Sequence, residues 1–187
     1  MEADWAAEIG PRLDRIDVDW PGFIDLRRNP GSVDSISEAA GAPEVRAALA
    51  LLNAPNSPVF TCKCDCWSLP SDELDPREYG YPPEETFVGV AAYVDVVARE
   101  PEVFVSFERH ERWARSAALR LRQMELTNGR ADLVIRPALD GEAAGFGLTL
   151  YAAGCGRDDS AAKAARERIL RAVIAATMME VHSNRGE

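Results

Sequence analysis

Positive charge is in short supply in this chain. Its 21 lysines and arginines face 31 aspartates and glutamates, for a net charge of −10 and a pI near 4.8. Such a chain repels phosphate backbones and anionic headgroups, so neither nucleic acid nor a membrane surface is expected as a partner. Long apolar runs are missing as well, since none reaches the ~18 residues a membrane helix needs. The longest candidate, Phe87 to Ala98, carries Asp95 and reads as a strand. The opening residues Met1-Glu2-Ala3-Asp4-Trp5 are acidic and no apolar stretch follows, so no signal peptide and a cytoplasmic location are expected. Histidine is scarce, with only His110 and His182, which leaves few bases for side-chain catalysis. What is present is ordinary: 47% hydrophobic and 28% charged residues over 187 positions, enough for one substantial core.

Three of the four cysteines crowd into Thr61-Cys62-Lys63-Cys64-Asp65-Cys66-Trp67. On an extended strand, alternate side chains share a face. Cys62, Cys64 and Cys66 are then expected on one face, and Lys63, Asp65 and Trp67 on the other. As a metal site the triplet lacks the usual Cys-x-x-Cys turn, and thiols ~6.5 Å apart on a straight strand converge poorly on one ion. A bulge at residues 63–65 would bring them closer, with Cys155 as a further ligand. As a nucleophile, Cys62 or Cys64 needs a base, and His110 on the inner stripe of its helix is the candidate. Spacing and a reducing compartment favour the plainer use of cysteine as a small buried hydrophobe. No cofactor is expected.

Residues 1–56 read as an N-terminal helical segment packed on a core of residues 57–183, within a single domain spanning 1–187. Trp5, Ile9, Leu13 and Ile16 have helical spacing, interrupted at Pro11. Ser32–Ala40 reads as a short helix closed by Gly41, and Pro43–Leu52 as a second with Val45, Leu49 and Leu52 in its stripe. Strands are expected at 59–69 and 87–98, joined by a polar, proline-rich loop over 70–85. Ser106 caps a helix to about Glu125, strands follow at 131–137 and 146–153, and a last helix runs from Asp159 or Ser160 to about His182. Gly154-Cys155-Gly156 is expected to end the fourth strand. The fold class is therefore α+β, an antiparallel sheet of about four strands in ββα-ββα order, with helices on one face and N-terminal helices before it. The order of elements resembles that of secretion-chaperone folds, a likeness of topology alone that implies no chemistry.

Strand parity sorts the sheet into two faces. Phe60, Cys62, Cys64 and Cys66 join Val90, Val94, Leu133, Ile135, Leu148 and Leu150 on the side for helices to cover. The other side collects Lys63, Asp65, Trp67, Tyr93, Asp95, Arg136, Thr149 and Tyr151. An antiparallel sheet with one wet face accounts for the alternation. Three large aromatics among convergent charges go beyond what a solvated face needs and suit a recognition surface, unless Trp5, Trp20 or Phe23 packs over them. Asp65 and Asp95 would make an acid–base pair if their strands adjoin, but Lys63 and Arg136 are expected to neutralise them rather than raise their pKa.

These patterns point first to a non-enzymatic module that binds a protein or peptide through the polar-aromatic face. Two alternatives stand beside it: a cysteine-dependent enzyme or thiol or metal sensor built on Cys62, Cys64 and Cys66, and a small-ligand binder with its pocket between the sheet and the N-terminal helices. Exposed edge strands also allow a homodimer.

Overall fold

The structure is a computed structural model that describes residues 2–10, 13–70, 74–82 and 87–183, and the side chains of these other than 76 and 180–183. In chain order the strands are β1 (Glu2–Ala7), β2 (Ile16–Asp17), β3 (Val59–Leu69), β4 (Val88–Ala98), β5 (Gly129–Asp140) and β6 (Ala143–Gly156). The α-helices among the described residues are α1 (Pro43–Leu52), α2 (Pro101–Phe104), α3 (Phe107–Arg122) and α4 (Asp159–Ser183). All six strands form one sheet in the order β1-β5-β6-β4-β3, with β2 also on β5.

The two expected hairpins form, β3 with β4 and β5 with β6, and antiparallel pairing of β4 with β6 joins them. The sheet is nevertheless mixed rather than antiparallel, because β1 and β2 lie parallel to β5. This corrects the expected helical preface. Gly10-Pro11 breaks the helical spacing of Trp5, Ile9, Leu13 and Ile16. Residues 2–7 alternate instead, with Ala3 and Trp5 registered beside Ala131 and Leu133. Pro137, which has no N–H, falls where β5 passes from β1 (ending at Ile135) to β2 (starting at Ala138). Further on, Pro30–Ser35 and Ser37–Ala39 form only short 3-10 turns, so the first α-helix among the described residues is Pro43–Leu52.

Helices α1, α3 and α4 pack on one face of the sheet. Val94, Leu133, Leu148 and Leu150 meet Leu121, Ile169, Val173 and Trp113 there, all buried. Each such side chain contributes roughly 1.5–3 kcal/mol on burial. Ser106 caps α3, its hydroxyl accepting the Arg109 N–H at 3.3 Å. Arg166 of α4 is almost wholly buried, paired with Glu44 of α1 and donating to the Ala91 carbonyl at 3.2 Å. This ties two helices to the sheet without leaving a lone charge in the core. Among the described residues no helix is long and apolar enough to cross a membrane.

Gly154-Cys155-Gly156 does not end β6, which runs through Gly156. The glycines serve helix approach. A Cβ on Gly154 would strike the α4 backbone at the Arg166 nitrogen and, at 2.6 Å, the Ala162 carbonyl oxygen. Gly154→Ala should therefore lower the urea midpoint by the equivalent of ~1–3 kcal/mol. Gly41→Ala, whose new methyl meets no atom within 4 Å, should leave it unchanged or slightly raised.

Candidate functional site

One extra residue decides how the cysteine strand presents itself. Thr61 of β3 stands opposite Val96 of β4, and Cys64 opposite Val94, so Cys62 and Lys63 together oppose Asp95. This is a β-bulge, and it reverses strand parity at that point. Beyond it Cys64 and Cys66 face the helices, beside Val94 and Ala92. Before it Phe60 and Cys62 face the other way, packed with Ile16, Val18, Val97 and Phe104. The expected single face of Phe60, Cys62, Cys64 and Cys66 is thereby corrected, since period-two counting fails across an inserted residue. The three thiols are divided between opposite sides of the sheet.

His110 sits on α3, which lies over β1, β5 and β6, while β3 forms the far edge beyond β4. Its Nδ1 lies 2.9 Å from the Ser106 carbonyl oxygen, and its ring packs on Trp113 and Phe146. Nε2 points toward the Phe146 backbone without a hydrogen bond of regular geometry. Burial holds the imidazole pKa below its ordinary value. The structure does not bring His110 to Cys62 or Cys64. Burial also raises the thiols, Cys64 to about 12 and Cys155 to about 11, with Cys62 and Cys66 shifted in the same direction. Among the described residues no three histidine, cysteine or acidic side chains cluster as a metal site.

The opposite face brings the remaining candidates together. Trp67, Tyr93 and Tyr151 form a row across β3, β4 and β6, with ring centroids 6.1 and 5.8 Å apart in tilted arrangements. Such tilted pairs add to simple burial. Trp67 is exposed and the two tyrosines are half-buried. Arg136 closes one end of the row, donating to the Tyr151 hydroxyl at 3.3 Å and pairing with Glu8 at 2.8 Å and Asp14 at 3.8 Å. Asp65 lies across from Tyr93 at the other end, exposed, its Oδ1 accepting the Cys66 N–H at 2.7 Å. Lys63 leans over the Trp20 ring, 5.8 Å from its centroid.

Asp95 is buried beneath this row, and Thr149 donates to its Oδ1 at 2.6 Å. Burial pushes its pKa up to about 6, against the Thr149 hydrogen bond and the charges of Arg136 and Lys63. Neutralisation by those cations was the expectation, and desolvation outweighs it because neither cation bonds the carboxylate directly. Tyr93 is likewise pushed up to about 12, first by burial and then by Asp95.

The N-terminal segment covers this face only in part. Ile16, Val18 and Phe23 roof the end at Phe60 and Cys62, and the Trp20 indole donates to the Cys62 carbonyl at 3.3 Å. At the other end Leu74, Tyr79, Tyr81 and Phe87 from the long loop bury Cys155. Asp72, Glu73, Glu84 and Glu85 of that loop lie outside the described residues. Between the two roofs no other described segment packs over the aromatic row. Two grooves adjoin it, one of about 520 Å³ beside the bulge under Trp20, the other of about 420 Å³ between Tyr151, Arg136 and β1. Arg136 and Tyr151 of the second groove were among the expected face residues, but its β1 wall had no signal in the sequence, because Trp5 falls in a helical spacing. Comparison with known proteins finds no matching family model, no matching curated protein and no matching solved structure.

Two outcomes follow from these environments. Asp95 keeps its proton to a higher pH when folded than when unfolded, so folding weakens as pH climbs from 3.8 to about 6. Above that window the loss levels off near ~3 kcal/mol. Asp95→Asn removes it, so the stability difference between variant and wild type, from urea melts across that window, should grow with pH and then plateau. With every thiol raised, iodoacetamide at neutral pH should label the native cysteines slowly and all four rapidly once denaturant is added.

Proposed function

We propose that the chain is a recognition module that binds a protein or peptide on the open part of this sheet face. The observation that carries the reading is the half-exposed row of Trp67, Tyr93 and Tyr151, left uncovered by the described residues between two segments that roof the sheet on either side. Aromatic side chains supply large contact area at small entropic cost, and they are enriched where partners bind most tightly. Asp65 and Lys63 at one end, and Arg136 with Glu8 at the other, supply charge of both signs to fix orientation. The buried Asp95 and Thr149 support the row from beneath rather than meet a partner, since both are almost wholly inaccessible.

A second reading has one observation in its favour. The groove beside the bulge, about 520 Å³ and walled by Trp20, Ile24, Ile36 and Leu49, lies in the size range of small-molecule sites. Its walls join three separate chain segments, and its floor is the same strand that ends the aromatic row.

Selection of random phage-displayed peptides on the purified chain tests the leading reading. Enriched peptides should lose about 30-fold or more in affinity to the double variant Trp67→Ala, Tyr151→Ala. They should bind normally to Leu119→Ser, which changes an exposed residue on the helix side. Failure to enrich any peptide, or binding indifferent to the double variant, would overturn it.

A further inference from the structure

We propose that the outer edge of β3 from Cys64 to Ser68 takes up an extended peptide as a further strand, and that this peptide alternates apolar with basic residues. The proposal rests on the recognition reading above and names how the partner binds and what chemistry it carries.

β3 is an edge strand of 11 residues. Edge strands present unpaired N–H and C=O groups, and proteins that do not use them guard them. Here the hydrogen-bonded guarding of the backbone stops at the bulge, and the 3-10 turn Ser37–Ala39 packs on β3 at the groove beside Cys64. Before it, Asn53 accepts the Thr61 N–H at 3.2 Å and Trp20 donates to the Cys62 carbonyl at 3.3 Å. Beyond it the Cys66 N–H turns away from β4 and is held by the side chain of its own neighbour, Asp65. On an antiparallel strand the outward residues alternate, so Cys64 and Ser68 turn their N–H and C=O groups the same way. An added strand meets three such residues in a row. The Asp65 carboxylate is a removable cover, because it needs only a side-chain rotation to release the amide.

The surroundings set the side-chain pattern of the guest. Residues of an added strand alternate between the two faces, as those of β3 do. On the helix side they meet Cys64 and Cys66 and, at the groove, Ile36 and Leu49, which are apolar. On the other side they meet Asp65 and Trp67, a carboxylate and an indole that both suit arginine or lysine. Glu38 at the groove mouth is also exposed, and neither it nor Asp65 is in a salt bridge among the described residues. Lys63 does not compete at this edge, being folded back over Trp20. A chain of net charge −10 attracts a basic segment from a distance and repels a second copy of itself, which favours a foreign guest over a dimer.

The probe is a short capped peptide alternating valine with arginine, measured by calorimetry against the full chain. A peptide of the same composition with its valines and arginines in separate blocks is the control for simple charge attraction. The alternating peptide should bind at least about tenfold more tightly, and the Cys64, Cys66 and Ser68 amides should gain protection from hydrogen exchange. N-methylation of the peptide should weaken binding at every second amide only. Ser68→Pro removes an outward N–H without touching the β4 ladder, and should weaken binding about 3- to 10-fold. Equal binding of the block peptide, or an N-methyl scan without alternation, overturns the proposal. So does a dimer by light scattering that protects the same three amides, since the edge would then belong to a second copy. The recognition reading stands apart from these results. If library-selected peptides depend on Trp67 and Tyr151 yet tolerate N-methylation throughout, the face binds and the edge does not.

Discussion

The two residues of β3 that stand opposite Asp95 constrain the rest of this molecule. Without the bulge at Cys62 and Lys63, every residue of β3 from Val59 onward would keep one parity. Either Phe60 and Cys62 would be driven under the helices, or Cys64 and Cys66 would lose their places beside Val94 and Ala92. The insertion lets a single strand serve two separate apolar clusters on opposite sides of the sheet. The groove opens at the same place, where Trp20 and the 3-10 turns at 30–39 meet the bulged strand.

Most of the core was legible because periodicity reports burial. Val59–Leu69 and Val88–Ala98 emerge as strands from valine density and turn residues at either end, and Ser106 announces α3. The apolar list from β4, β5 and β6 lands on the helix side without exception, because those strands carry no insertion. Two things lay beyond reach. Residues 2–7 are a strand only because β5 offers an edge, and six residues of alternating sequence with alanine at three positions cannot announce that on their own. The bulge leaves no mark in composition, so parity misplaced Phe60 and Cys62. The aromatic row was legible for the opposite reason, since Trp67, Tyr93 and Tyr151 lie beyond the insertion or on uninterrupted strands.

Charge is handled differently on the two sides of the sheet. On the helix side the ion pair of Arg166 and Glu44 is closed off from water and complete within itself. On the other side the arginines share acids: Arg130 reaches Asp132 and Glu78, and Arg136 reaches Glu8 and Asp14. A closed pair fixes where a helix sits, whereas shared partners at the surface can be exchanged at little cost. That contrast suits a molecule whose one face is core and whose other face meets something else. The raised Asp95 belongs to neither group. It is a buried acid with a hydroxyl for company, and it weakens the fold at neutral pH while shaping the floor beneath two tyrosines.

The parallel pairing of β1 with β5 has a consequence in time. Glu2 is registered against Arg130, so β1 is synthesised well before the strand it pairs with and waits for it before its hydrogen bonds can form. Closing so long a loop is slow relative to forming the β5–β6 hairpin, whose strands are separated by a two-residue turn. The sheet is thus expected to assemble from its C-terminal half outward, with β1 docking late onto an edge already made. Until that moment the outer edge of β5 is bare, and a nascent chain with its β5 edge bare is the state in which this protein is most exposed to pairing with a stranger.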